Sequence, residues 1–256
     1  MPLAVRVSAD ETTAAYRRER IVFTGTNGNR VPGYLTLPLG VTGRVPLVVA
    51  IHAGASSKDA WWQAESFERG RLVTDRLLAA KVAILSLDAQ FHGERSAGND
   101  FESFRTMWFD GKKFTWVRDG IIQTVRDYRR ALDYVATRPE LDMSRVGVIG
   151  YSLGGMMSLY LTAFDTRPTA TVACVAGVNE PWLYPIAPIN LAANMGRSPL
   201  LLLAGRTDAL ATPAKMEALF AAIPTTQKRL AYFESGHRLP DVYADSATAW
   251  LVARLK

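Results

Sequence analysis

Five stretches of the chain are apolar almost without a break: Pro46–Gly54 (PLVVAIHAG), Val82–Gln90 (VAILSLDAQ), Arg145–Ser152 (RVGVIGYS), Ala170–Val178 (ATVACVAGV) and Pro199–Asp208 (PLLLLAGRTD). Lys228–His237 (KRLAYFESGH) is a weaker sixth. A strand with one wet face alternates polar and apolar residues, whereas a strand covered on both faces does not. Unbroken runs therefore predict a parallel sheet with helices on both sides. Upstream the pattern differs. "RIVFTG" and "RVPGYLTLP" flank Thr26, Asn27, Gly28 and Asn29, and Asn-Gly between β-type runs predicts an antiparallel hairpin whose two central residues take positive φ.

Between the apolar runs the apolar residues become periodic, recurring every three or four positions. Val117, Ile121, Val125, Tyr128, Leu132 and Val135 mark one face of a helix that ends before Pro139. Thr212-Pro213 supplies an N-cap and a first-turn proline for a helix carrying Met216, Leu219, Phe220 and Ile223. A last amphipathic stretch runs from about Pro240 to Leu255. A hairpin followed by alternating strands and helices predicts an open α/β sheet with right-handed crossovers. With no repeat, linker or low-complexity tract, residues 1–256 read as a single domain.

Composition adds little but excludes a good deal. Hydrophobic residues make up 48 % and charged residues 21 %, which is globular rather than disordered. The formal charge of +6 is spread thinly, and clusters such as Arg17, Arg18, Arg20 are too short for a nucleic-acid arm. The N-terminal twenty residues lack the apolar core of a signal peptide, and no run is long enough to span a membrane. Cys174 is the sole cysteine, so neither an internal disulfide nor a cysteine metal cage is expected, and a cytoplasmic setting follows.

The chemistry sits where strands meet helices. In an open α/β sheet, reactive groups lie just past the carboxyl ends of the strands. "GYSLGG" (Gly150–Gly155) puts Ser152 between two glycines, at the end of one predicted strand and the start of a helix. Such a match arises by chance in roughly one chain in ten of this length, so its context has to carry it. A serine hydroxyl needs a base, and the base needs an orienting acid. His237 follows the last strand and Asp208 the one before it, which brings both to the edge occupied by Ser152. Asp241 and Glu234 are alternative acids, nearer in sequence but not at the end of a central strand. The amide of Leu153 and one from the "HAGASSKD" loop, at Gly54 with Ala55 next, are the candidate oxyanion donors. His52 reads as a loop-shaping residue. His92 and Glu94 read as structural rather than as a metal pair, because no third ligand is evident.

The motifs "GYLTLPLG", "PLVVAIHAG", "DAQFHGERS", "GYSLGGM", "AGRTDAL" and "SGH" together resemble the α/β-hydrolase superfamily, in the branch of the dienelactone hydrolases and the peptidase domains of prolyl oligopeptidases. The resemblance covers about Arg30 to Lys256. It implies the α/β-hydrolase fold, a mostly parallel central sheet with an N-terminal antiparallel hairpin and helices on both faces. By the same resemblance Ser152, Asp208 and His237 are the catalytic set, with Leu153 and Gly54 as the oxyanion hole. The relatives usually have His-Gly where this chain has His52-Ala53, and dienelactone hydrolase itself has a cysteine where Ser152 stands. Cys174 lies in another predicted strand and reads as core.

Aromatic residues gather outside the strands. Trp61 and Trp62 follow the oxyanion loop, Trp108 lies in an aromatic stretch before the long helix, and Trp182 and Tyr184 lie in the Val178–Ser198 segment, which is too short for a cap domain. The expectation is an open cleft walled by these rings, taking small or medium acyl or aryl groups. The leading function is therefore carboxylic-ester hydrolysis of a small-molecule substrate, with no metal or organic cofactor. A peptidase- or thioesterase-like serine hydrolase is the alternative within hydrolases, and a non-catalytic small-molecule receptor is the alternative outside them.

Overall fold

The computed structural model describes residues 3–54, 56–96, 113–178, 183–184 and 186–256. Among them, nine strands form one sheet: β1 (Arg6–Thr12), β2 (Tyr16–Thr24), β3 (Arg30–Pro38), β4 (Val45–Ile51), β5 (Ala83–Leu87), β6 (Leu141–Tyr151), β7 (Pro168–Cys174), β8 (Leu200–Gly205) and β9 (Lys228–Phe233). Their order is β1-β2-β3-β5-β4-β6-β7-β8-β9. The pairs from β5 through β4 to β9 are parallel, while β1, β2 and β3 join antiparallel.

The unbroken apolar runs are explained by two cores. Successive side chains of a strand point to opposite faces. In β4, Val48 and Ala50 face a core shared with Val73 and Leu77 of helix α1 (Gly70–Ala79) and with Leu251 and Leu255 of the last helix. Leu47, Val49 and Ile51 face the other core, against Val117, Ile121, Tyr128 and Leu132 of α2 (Phe114–Val135) and Met157 and Leu161 of α3 (Leu153–Phe164). All seven residues of β4 are buried as a result. Helices α4 (Pro213–Ala222) and α5 (Tyr243–Leu255) complete the fold. Thr212 caps α4, its hydroxyl accepting from the Lys215 amide at 3.4 Å. The described part of the Val178–Ser198 segment forms two short turns, Pro188–Leu191 and Ala192–Met195, with no cap domain.

One local expectation needs correction, and one strand was not anticipated. The β2–β3 connection is not a two-residue turn. It runs from Gly25 to Asn29, closed by the Gly25 amide donating to the Asn29 carbonyl at 2.8 Å, and only Gly28 takes positive φ. Strand β1 has no apolar signature at all, since almost all of it is exposed. It is held by backbone pairing and by charge: Arg18 bridges Asp10 at 2.5 Å and Glu11 at 3.1 Å. The basic cluster on β2 is thus neutralised within the fold, with Arg17 on Glu140 and Arg20 on Glu94. Among the described residues no helix is long and apolar enough to cross a membrane.

Candidate active site

Strand β6 and helix α3 meet at Ser152, and the join is tight. A Cβ on Gly150 would lie 1.9 Å from the Gly154 carbonyl oxygen, and one on Gly154 would lie 2.0 Å from that of Ile51. Only glycine fits either place. Ser152 itself takes φ 54° and ψ −111°, a backbone state that L-residues avoid at a cost of about 1–3 kcal/mol. Its amide donates to the Cys174 carbonyl at 2.8 Å, which fixes the turn to the neighbouring strand β7. The side chain is thereby held out past the carboxyl end of the sheet.

Three predicted residues come together there. The Ser152 Oγ lies 2.7 Å from His237 Nε2, and His237 Nδ1 lies 2.8 Å from Asp208 Oδ2. A carboxylate only accepts, so Nδ1 carries the proton and Nε2 is left to accept from the serine hydroxyl. The Asp208 side chain is fully buried, whereas that of His237 is 19 % exposed. Burial alone would raise the Asp208 pKa, but the bonds from His237 and from the Leu210 and Ala211 amides, at 2.8 and 3.1 Å, outweigh it and hold the carboxyl below its ordinary value. The alternative acids are engaged elsewhere. Asp241 pairs with Arg69, and Glu234 pairs with Arg206 at 2.7 Å while remaining 83 % exposed.

The loop after β4 is pinned from two sides. Glu68, fully buried, accepts from the Ala53 amide at 3.1 Å and from the Ser56 hydroxyl at 2.8 Å. His92 Nε2 lies 2.8 Å from the Gly54 carbonyl, with its Nδ1 the same distance from the Gln90 carbonyl. With the Ala53 amide occupied, Gly54 is the next N–H along the loop; Ala55 lies outside the described residues. Leu153 presents its amide at the N-terminus of the twelve-residue α3, where the helix dipole is positive. His52 is fully buried, and burial depresses its pKa to about 3. Its Nε2 accepts from the Ala89 amide at 3.0 Å and its Nδ1 donates to the Ala53 carbonyl at 2.8 Å, so it ties two loops together. Glu94 meets Lys58 at 3.0 Å and also Arg20. No described group of three His, Cys, Asp or Glu side chains is arranged to hold a metal.

The aromatic wall is not as expected. Trp61 is fully buried beneath α1, packed so closely that a Cβ on Gly70 would lie 2.4 Å from its Cα. Trp62 packs against Tyr16 and lies under the Arg18 guanidinium, on the β2 side of the sheet. A fully buried Trp61 cannot wall an open cleft. The short 3₁₀ turn Lys58–Trp62 is anchored by Lys58, whose amide and ammonium both bond to the buried Asp88, and this turns the indoles inward. Tyr184 is 60 % exposed, and Trp108 and Trp182 lie outside the described residues. Sequence reasoning missed Phe67. Its ring is 39 % exposed, 6.0 Å from the His237 ring and edge-on to Tyr151 at 5.8 Å. It also missed Tyr151, whose hydroxyl donates to the His237 carbonyl at 3.1 Å and accepts from the Leu239 amide at 2.7 Å.

Comparison with known proteins bears on the family and the fold. The sequence profile described as "Alpha/beta hydrolase family" matches residues 48–255. YtaP of Bacillus subtilis (strain 168), whose name offers hydrolase as a proposal, is 27 % identical over 169 residues, covering 63 % of this chain and 54 % of that protein. The chain thus spans about half the length of that relative. Among solved structures, acetyl xylan esterase 1 from Thermoanaerobacterium sp. JW/SL YS485 superposes with a TM-score of 0.78 at 17 % identity, covering 100 % of this chain and 89 % of that one. A cold-adapted esterase from an Arctic intertidal metagenomic library gives 0.78 at 22 % identity, covering 100 % of both chains. At these identities the structural likeness speaks for the fold.

Proposed function

Since the chain belongs to the alpha/beta hydrolase family, we propose that it is a serine esterase acting on carboxylic esters with small or medium acyl or aryl groups. The observation that carries the reading is the line from Ser152 Oγ to His237 Nε2 at 2.7 Å, continued from Nδ1 to the buried Asp208 at 2.8 Å. The esterases with the same fold support it.

In this reading the Ser152 oxygen bonds to the ester carbonyl carbon while its proton passes to His237 Nε2. Negative charge gathers on the carbonyl oxygen and is met by the amides of Leu153 and Gly54. The carbon–oxygen bond to the alcohol breaks, and the departing oxygen takes the proton back from Nε2. Water then gives a proton to Nε2, attacks the acyl-serine, and releases the acid as the serine regains its proton. Asp208 holds the imidazole in the tautomer these transfers need.

The test is hydrolysis of 4-nitrophenyl acetate by the protein beside its Ser152→Ala variant. Turnover is expected in the first and not in the second. Equal turnover in both, or none in either, overturns the reading.

A further inference from the structure

We infer that Phe67 forms the floor of a leaving-group subsite and that the preferred ester carries a planar aromatic alcohol. This rests on the serine-esterase reading above. In that mechanism His237 Nε2 hands its proton to the departing oxygen, so this oxygen must come within hydrogen-bond reach of the imidazole. The alcohol half of the ester then lies on the imidazole side of the reacting carbon. The acyl half and the carbonyl oxygen are directed elsewhere, the latter toward Leu153 and Gly54.

Among the described residues, Phe67 is the aromatic ring that packs beside that imidazole. Its centroid is 6.0 Å from the imidazole with the planes 37° apart, and the residue is 39 % exposed. Exposed apolar side chains are common on a protein surface, and what sets this one apart is its place beside the imidazole. This one is presented on a stretch of backbone tied down on both flanks. Arg238 donates to the Ser66 carbonyl at 3.3 Å, the Tyr243 hydroxyl donates to the Glu68 carbonyl, and Arg69 pairs with Asp241. An aromatic leaving group would therefore meet an apolar ring, carried on anchored backbone and held edge-on by Tyr151, beside the proton donor. Offset or tilted aromatic pairs with centroids about 4.5–7 Å apart are favourable beyond their buried area.

Two acetates separate this from a merely structural role. 1-Naphthyl acetate offers a flat aromatic leaving group, and 2,2,2-trifluoroethyl acetate offers an activated but small one. Phe67→Ala is expected to lower kcat/KM roughly tenfold for the naphthyl ester and less than twofold for the trifluoroethyl ester, the size of one lost aromatic contact. Hydrolysis of the shared acetyl-enzyme is expected to be unchanged, because the alcohol has already left. Phe67→Leu, which keeps apolar bulk without flatness, is expected to recover the naphthyl rate only in part. An equal loss on both esters would make Phe67 a positioning residue for His237 and overturn the subsite, as would no loss on either. Failure of the parent protein to turn over any ester would instead remove the esterase reading, and the subsite with it.

Discussion

Glu68 offers the sharpest check on how the loop after β4, the proposed source of an oxyanion donor, is held. Its carboxylate is fully buried, 3.1 Å from the Ala53 amide and 2.8 Å from the Ser56 hydroxyl. Glu68→Ala deletes both acceptors. The Ala53 N–H is left buried without a partner, which costs about 1–3 kcal/mol. Ser56 is only partly buried and can turn to water, and the lost methylene adds about 0.8 kcal/mol. The variant should therefore be about 2–4 kcal/mol less stable, read as the change in midpoint and slope of a urea titration at pH 7. Glu68→Gln should behave differently. Its amide oxygen can accept from Ala53, its NH2 can donate to a reoriented Ser56 hydroxyl, and no charge is buried, so stability should stay within about 1 kcal/mol of the parent.

Activity should separate the same pair. In the proposed mechanism Gly54 is an oxyanion donor, so loosening it should slow turnover; loss of one donor costs about 10²–10³, and a partial loss of about 10–100-fold is expected for Ala and little for Gln. The pH dependence follows from the sign of the shift. Burial raises the Glu68 pKa above its ordinary 4.5. Its contribution to stability is therefore fullest below the unfolded value and falls as pH rises through the higher folded value. Glu68→Gln should flatten that part of the stability–pH curve. An alanine variant as stable as the parent, or a glutamine variant as poor as alanine, would refute the account.

Other outcomes follow from the same geometry. Tyr151→Phe strands the buried Leu239 amide and unties the His237 carbonyl, so it should cost about 1–3 kcal/mol in urea unfolding, and no change would sink the assignment. Asp208→Asn should leave the circular dichroism spectrum intact while slowing ester turnover by about 10³–10⁴, since the amide favours the wrong imidazole tautomer; a near-normal rate would refute its role. Cys174 is fully buried, and burial pushes its thiol pKa up, so alkylating reagents should label it only after denaturation. Rapid labelling of the native protein would show that β7 is not core.

What could be read from the sequence was whatever the hydrophobic pattern decides. The parallel strands announced themselves because both of their faces are covered, and the α2 stripe from Val117 to Val135 is buried where its period places it. The open α/β sheet followed from that alternation, and the α/β-hydrolase fold from the resemblance that the motifs carry. Strand β1 was not legible, because backbone pairing and the Arg18 bridges carry it and neither leaves an apolar trace. Trp61 misled for a related reason. An aromatic pair beside a reactive loop looks like a pocket wall until one knows that Lys58 is drawn inward by Asp88 and takes the turn with it. Glu68 in "ESFERG" resembles any solvated loop acid. Only the fold shows it facing the Ala53 amide from fifteen residues away.

The backbone of Ser152 carries one last consequence. At φ 54° and ψ −111° glycine would sit more comfortably than serine, by about 1 kcal/mol or more. A Ser152→Gly change would therefore tend to make the protein more durable while removing the hydroxyl. Stability and chemistry pull in opposite directions at this residue. Left to drift without selection for turnover, a lineage would find loss of the nucleophile an easy step, structurally downhill and invisible to any screen for folding.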